Sequence, residues 1–458
     1  MANKKIIVLG AGISGLATAY WLKKDGFDIH ILEAKSEPGG AMETIHKNGY
    51  TIDFGPNSGL ETTPLVRQLA EEVGIIDQMI YANDEANRRY ILRDDELHAL
   101  PTSPPAFLKT KLFSTKAKLR LMGEPFIGKS EDGYYQSIAQ FVERRLGKVF
   151  LDYAIDPFVS GVFAGDPTKL SVKSAFPKLY RLEEIYGGLV KGMIKGRKER
   201  KKRNEESKQS AKMFSFRDGM QSFPKAIAKH FENMIEYNSK VDSIIRTDSG
   251  YKISYSVNGK RKELDCDILL STMPVHKATE FFSKFDNEFD QHAKDIFYPP
   301  VLVLYLGYRK EQIKRNLDGF GFLVPSKMKK NFLGAIWSST IFENRAPEGY
   351  ESFTLFVGGA RKPNLFDEET KVIIDRAIKE FSSIMQTEGE PTLLEYREWQ
   401  KAIPQYNLGY IEHENYFDKF ENENPGIFLS GNYRGGISVG DCLKNSELVF
   451  NKIKNFAS

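Results

Sequence analysis

The sequence predicts a multi-domain α/β protein with a Rossmann-like nucleotide-binding domain, a mixed-sheet substrate domain and a helical membrane-binding segment. Three observations predict it. A Gly-rich turn joins a short apolar strand to a helix near the N-terminus, a second Gly-rich turn precedes a helix near the C-terminus, and a basic, apolar-rich stretch lies between them. At 458 residues the chain exceeds the ~250–300 that one hydrophobic core fills, so two or three domains are expected. With 41% hydrophobic and 28% charged residues, it belongs with folded chains rather than disordered or collagen-like ones.

Lys5 to Leu9 (KIIVL) reads as a buried parallel strand, followed at once by Gly10, Ala11, Gly12, Ile13, Ser14 and Gly15 and then by apolar residues at helical spacing. Gly10 permits the tight turn, Gly12 lets backbone approach a pyrophosphate, and Gly15 lets the helix pack close to the sheet. Unpaired N–H groups and the helix dipole favour negative charge there. A second strand, Phe27 to Leu32, ends in Glu33, placed to accept hydrogen bonds from a ribose diol and to disfavour a 2′-phosphate.

Gly39, Gly40 and Ala41, followed by Asp53-Phe54-Gly55-Pro56-Asn57-Ser58, resemble the E-x(5)-G-G turn and its sequel in FAD-dependent oxidases of the amine-oxidase type. The resemblance points to FAD. Ala41 stands where many of those enzymes carry Arg. The first βαβ unit holds only the adenosine half of such a cofactor, so later chain must complete the site. Ile427 to Ser430 is an apolar strand running into GNYRGGISVG and a helix expected from Asp441. Amides at that helix start face a flavin ring and stabilise its reduced, negative form by about 1 kcal/mol. Val241 to Ile245 and Asp267 to Leu270 read as further strands of the nucleotide domain.

Lys and Arg (65) nearly balance Asp and Glu (61), which argues against nucleic-acid binding by overall charge. Cys266 and Cys442 have no disulfide-framework or zinc spacing, and the seven histidines include no H-x-x-x-H pair, so no metal is expected and a reducing compartment fits. No run of 18 apolar residues occurs, and the basic start passes into a strand without a cleavage site; a cytoplasmic protein that crosses no membrane is expected.

Ser160 to Pro167 (SGVFAGDP), Gly319 to Pro325 (GFGFLVP), Asn344 to Pro347 (NRAP), Ala402 to Tyr406 (AIPQY) and GNYRGGISVGDC together resemble the oxygen-dependent protoporphyrinogen oxidase family nearly end to end. The resemblance implies an FAD enzyme that removes six electrons from protoporphyrinogen IX in haem synthesis, with O₂ as acceptor and H₂O₂ as product. A sister activity converts coproporphyrinogen III to coproporphyrin III. By the same resemblance, FAD contacts fall on Gly10 to Gly15, Glu33, Gly40 and Ala41, Gly55 to Ser58 with Pro56 and Asn57, Val241 at the adenine, Trp399 beside the flavin, and Ile437, Ser438 and Val439. For the substrate it implies Arg89 on a propionate, Leu323 and Ile336 around one pyrrole, Phe356 stacked on another, and backbone at Gly161 orienting the macrocycle. Arg fits a carboxylate because its planar fork keeps its charge. Arg88 is a rival, and a coproporphyrinogen preference needs extra cations among Arg88, Arg93, Lys327, Lys329 and Lys330. No side-chain nucleophile is expected in a flavin-mediated hydride transfer. A homodimer and contact with ferrochelatase also follow from the resemblance.

Pro101 to Gly128 mixes apolar residues with Lys109, Lys111, Lys116, Lys118 and Arg120, a pattern of amphipathic helices lying on an anionic membrane surface. Lys195 to Arg203 (KGRKERKKR) adds basic charge, within a loop near 195–212 that is either membrane-bound or solvated and unstructured. The expected domains are 1–88, 214–290 and 396–458 for FAD, 89–100 and 291–395 for substrate, and 101–213 for the helical segment. Two other functions are open: a flavin amine or polyene oxidoreductase, and a non-catalytic membrane-bound flavoprotein.

Overall fold

The structure is a computed structural model that describes residues 4–86, 88–202 and 211–458. Residues 203–210 of the expected basic loop lie outside the described residues, as do the side chains of 197–202, and 195–202 continue a helix, Leu189–Lys202, where a loop is expected. The elements that position the site begin with strand β1 (Lys5–Leu9), helix α1 (Ile13–Lys24), β2 (Asp28–Leu32), β3 (Tyr50–Asp53), β4 (Arg88–Arg93) and helix α2 (Asp156–Phe163). There follow β5 (Met213–Phe216), β6 (Ser239–Thr247), β7 (Ile268–Ser271), β8 (Val301–Arg309), β9 (Gly319–Leu323), β10 (Phe332–Ile336) and β11 (Tyr350–Gly358). Helix α3 (Thr370–Met385), β12 (Leu393–Trp399), β13 (Ile427–Leu429) and helix α4 (Val439–Ala457) complete the set.

Strands Ile235–Glu236, β2, β1, β7 and β13 form one parallel sheet in that order. Its strands are continuous apolar runs because both faces are covered. Ile6 and Val8 pack under α1 and α4 with Leu16, Leu443 and Ile453, while Ile7, Leu9 and Leu269 pack against Phe282, Phe289 and Phe420 on the other face. Helices α1 and α4 run side by side in the same direction. Ser446 Oγ donates to the Ser14 carbonyl at 3.1 Å near their starts, and Lys454 meets Asp25 at 2.9 Å near their ends. Helix α4 begins at Val439, earlier than expected, because Ser438 caps it by accepting the Asp441 N–H at 3.2 Å.

The strand expected at Val241–Ile245 forms, within the longer strand Ser239–Thr247. It belongs to a separate antiparallel sheet with Gly250–Val257 and Lys260–Cys266 rather than to the parallel nucleotide sheet. The Asn258–Gly259 turn, with φ values of 50° and 77°, closes a local hairpin that captures these strands as a meander.

The second large sheet has seven strands, in the order β12, β8, β11, β10, β9, β4 and Glu96–Ala99, antiparallel except where β9 meets β4. Helix α3 covers one face: Ile373, Ala377 and Phe381 pack on Leu302, Leu304, Phe353 and Leu355. The opposite face looks toward the nucleotide sheet's loops and α2.

Short helices fill much of 104–202, including Pro104–Lys109 and Thr115–Met122 where amphipathic helices are expected. A buried ionic knot holds them. Arg145 is fully buried between Glu124, at 2.5 Å, and Glu183. The Glu124 carboxylate also accepts the N–H groups of Leu189 and Val190 at 2.7 and 3.1 Å, capping the start of helix Leu189–Lys202. Among the described residues no helix is long and apolar enough to cross a membrane.

Candidate functional site

The first turn of α1 is built to receive an anion. Its N-cap is Gly12, with no side-chain cap and no acidic residue in the turn, so its amides are left for a ligand. Gly10 has a φ of 105°, which favours glycine, and a methyl group on Gly15 would lie 2.1 Å from the Gly10 carbonyl. A methyl on Gly12 would meet only the Gly40 Cα, at 3.9 Å. The close packing therefore requires Gly15, whereas the opening in front of Gly12 is space that the fold itself does not need.

Glu33 is buried at the end of β2, where its carboxylate accepts the Ala11 N–H at 2.6 Å and the Lys35 N–H at 2.8 Å. A carboxylate accepts about four hydrogen bonds, so capacity for a ribose diol is left. Val241 lies beside it: Ser239, two residues earlier, donates its N–H to the Glu33 carbonyl at 2.8 Å.

The expected flavin-side residues also converge. Gly39 donates its N–H to the Ala11 carbonyl at 2.9 Å, and Gly55 sits so close to Ala41 that a methyl would strike its carbonyl at 1.8 Å. Asn57 ties its own loop by donating to the Asp53 and Gly55 carbonyls at 3.0 and 3.2 Å, so Pro56 to Ser58 hold a fixed path. Lys35 reaches the Gly40 carbonyl at 3.0 Å and lies over the Trp399 ring at 5.6 Å, while the Trp399 indole N–H donates to the Phe54 carbonyl at 3.0 Å. Ile437 to Val439 open α4, whose start projects seven residues, about 10 Å, past the contact with Ser14. Two helix N-termini thus point the same way at staggered depths, the arrangement an extended dinucleotide requires. The glycine cradle, the buried carboxylate and the two helix starts fit FAD.

The expected substrate residues fall into two adjacent rows on the open face of the seven-stranded sheet. In the first row Tyr305, Thr354, Ile336, Gly321 and Arg89 stand side by side across β8, β11, β10, β9 and β4. In the second, Val303, Phe356, Gly334, Leu323 and Ile91 do so. With strands ~4.8 Å apart, Arg89 lies roughly 10 Å from Ile336 along its row, and Leu323 a similar distance from Phe356. Helix α2 faces the second row at Gly161, where a methyl would come within 2.5 Å of Leu323 Cδ2.

Alternation along β4 separates the two rival arginines. Arg88 points to the other side, where Asp318 pairs with it. Arg89 stays on the open face, accessible to solvent yet ringed by protein that lowers its pKa by desolvation. It lies over the Phe320 ring at 5.5 Å and has no carboxylate partner among the described residues. The other cations named from the sequence are engaged or exposed: Arg93 donates to the Leu112 carbonyl at 2.6 Å, Lys327 meets Asp152 at 3.5 Å, Lys330 meets Asp95 at 2.8 Å, and Lys329 is exposed on a turn.

Two residues that sequence reasoning quoted without a role enter the site. Asp53 ends β3 and, with Arg345, lines a small cavity bounded by Asn57, Ser58, Ile336 and Thr354. An Asp opening the D-x-G-P-N-S loop and an Arg in NRAP were the available signals. No group of three or more His, Cys, Asp or Glu among the described residues is placed to hold a metal.

Known proteins resemble the chain in sequence and in fold. The sequence matches the family described as flavin containing amine oxidoreductase over residues 13–446. It is 32% identical to protoporphyrinogen oxidase 2, chloroplastic/mitochondrial, of Arabidopsis thaliana, over 99% of this chain and 95% of that protein. It is 26% identical to coproporphyrinogen III oxidase of Bacillus subtilis, over 96% of both. Its fold is similar to the crystal structure of a candidate protoporphyrinogen oxidase from Exiguobacterium sp. 255-15, with a TM-score of 0.81 and 20% identity over 99% of each chain.

Proposed function

The chain belongs to the flavin-containing amine oxidoreductases, and from that premise we propose that it oxidises protoporphyrinogen IX to protoporphyrin IX, with O₂ as acceptor and H₂O₂ as product. One observation carries the reading. An arginine without a carboxylate partner among the described residues stands at the end of the first of two adjacent side-chain rows, on the sheet face turned toward the flavin-side loops. That is a slot for a flat, greasy molecule with an acid tail.

Bound FAD supplies the acceptor for hydride from a meso carbon of the macrocycle. The chain holds it by Gly12 and the α1 amides at the pyrophosphate, Glu33 at the ribose, Val241 at the adenine, and Gly40, Ala41, Asn57, Trp399 and the start of α4 at the flavin. Arg89 takes a propionate, Leu323 and Ile336 flank one pyrrole, Phe356 stacks on another, and Gly161 leaves room for backbone to approach the ring. These residues orient the donor carbon and exclude water, which is the main contribution that a reaction without a side-chain nucleophile needs.

Similarity to the Bacillus subtilis enzyme supports a second reading, coproporphyrinogen III as substrate. The cations that extra carboxylates would need are tied to Asp318, Asp152, Asp95 and the Leu112 carbonyl or lie exposed, which favours protoporphyrinogen. We assign the nucleotide part to 1–88, 214–290 and the C-terminal stretch, the substrate part to 89–100 and 291–399, and the rest to the helical segment. The boundary falls after Trp399 because β12 pairs wholly within the mixed sheet.

The helical segment supports peripheral membrane binding. Leu108, Leu119, Met122 and Phe126 are exposed among Lys116, Lys118 and Arg120, and each basic residue near an anionic surface contributes about 1 kcal/mol. The deciding experiment follows porphyrin fluorescence after mixing the flavin-loaded protein with each porphyrinogen under air. Faster formation of protoporphyrin is expected; no acceleration with either substrate removes the reading.

A further inference from the structure

The cavity between the flavin-side loop and the sheet contains a buried carboxylate oxygen with nothing bonded to it. Asp53 Oδ1 accepts the Thr44 hydroxyl at 2.5 Å and the Met220 N–H at 2.9 Å, but the buried Oδ2 makes no hydrogen bond. Its nearest cation is Arg345 Nη2, at 3.6 Å. That guanidinium spends its donors elsewhere, on Ser215 Oγ at 2.7 Å and the carbonyls of Phe216 and Arg217 at 3.0 and 3.2 Å. An idle acceptor in the interior is costly and calls for a reason.

The surroundings supply one. The cavity has room for about one water molecule, and the hydroxyls of Ser338 and Thr354, 2.9 Å apart, border it. Thr354 stands in the first substrate row, directly beside Ile336. The two hydroxyls and Asp53 thus line the same small cavity, between the first substrate row and the flavin-side loop. We propose that Asp53 is the acceptor for the proton that the substrate releases in each dehydrogenation.

The assignment rests on the oxidase reading. In each cycle one meso C–H bond breaks and its electron pair leaves as hydride, reducing FAD by two electrons. One pyrrole N–H bond also breaks, and its pair stays on nitrogen to form the new C=N; after three cycles the last CH2 bridge still carries one hydrogen too many, and its proton shifts to a ring nitrogen by tautomerisation to give the porphyrin. The pyrrole proton released in each cycle travels through Thr354 and Ser338 to Asp53 Oδ2 and escapes to water before the next cycle. Asp53 is thus a relay rather than a catalytic residue. The charged and titratable groups facing it are Arg345 in the 343–347 loop, His46 on the neighbouring strand, and Tyr305 on β8, whose hydroxyl donates to the Arg345 and Thr51 carbonyls. Burial raises the Asp53 pKa, with Arg345 opposing, which brings the carboxyl nearer to the range where a proton is both taken and given up.

Asp53→Asn keeps the Oδ1 acceptor for Thr44 and Met220, and Thr354→Val breaks the path with no change of charge. Both are expected to retain FAD. Asp53→Asn should lower kcat about 100-fold and remove the acidic limb of its pH profile, and Thr354→Val should lower kcat with a changed solvent isotope effect. Infrared titration of the resting holoenzyme should show a carboxylic acid band that Asp53→Asn deletes. Unaltered pH profiles in both variants, or an Asp53 that stays protonated across the working pH range, overturn the assignment while wild-type porphyrin formation upholds the oxidase reading. A wild-type protein that forms no porphyrin overturns both.

Discussion

Replacing Arg89 with Ala tests the substrate slot most directly. Arg89 and Arg88 are chain neighbours of identical chemistry, yet the strand turns them to opposite faces, one open and one paired with Asp318. A hydrogen bond to a charged group contributes ~1.5–3 kcal/mol, so loss of the Arg89 contact to a propionate lowers kcat/KM by roughly 10–150-fold. Nothing in the nucleotide cradle touches Arg89, so FAD content should be unchanged. Arg88→Ala removes a solvent-exposed, screened pair and should leave turnover near wild type. The assay is initial-rate porphyrin fluorescence over a range of porphyrinogen concentrations, with flavin absorbance measured on the same samples. Wild-type kinetics in Arg89→Ala, or an equal loss in Arg88→Ala, would refute the assignment of the open face to substrate.

Gly12→Val should fold yet lose flavin, because only the Gly40 Cα lies near its Cβ, whereas Gly15→Ala should lower the thermal midpoint because its methyl overlaps the Gly10 carbonyl. Gly161→Ala forces Leu323 aside at a cost of ~1–3 kcal/mol and should raise KM more than it lowers kcat, which substrate titration reads. Arg145→Met leaves Glu124 buried without its cation and Glu183 with Arg144 alone, costing about 3–5 kcal/mol, and limited proteolysis should then cut the 104–202 helices first. Burial, aided by Lys401 and Lys277, pulls the His276 pKa from 6.5 down to about 4. The unfolded chain therefore binds a proton that the folded chain refuses, so stability is full above pH 6.5 and falls between 6.5 and about 4. Thermal midpoints of His276→Gln should fall less steeply over that window.

The nucleotide half was legible because its signal is local. A strand, a glycine turn and a helix within twenty residues encode their own geometry, and β1, α1 and β2 form where Lys5–Leu9, Gly10–Gly15 and Phe27–Glu33 place them. The strand at Val241 was legible as a strand, but its partner was not, since it pairs with Gly250–Val257 through the tight turn at Asp248 and Ser249 rather than with the parallel sheet. The two side-chain rows were beyond sequence pattern alone. Their register depends on pairings between β4 and β9 and among β8, β11 and β10, and one residue of slip sends every side chain to the other face. The inequality of Arg88 and Arg89 likewise depends on Asp318, which no spacing rule brings near.

The parallel pairing of α1 with α4 joins Ser14 to a residue 432 positions away. A ribosome adds ~5–20 residues each second, so the half-built cradle waits roughly 20–90 s for its other wall. Through that interval the nascent polypeptide has no means of clasping the coenzyme. Coenzyme uptake therefore waits for the closing helix, and premature termination anywhere upstream of that helix yields a colourless product, however well its earlier portions fold.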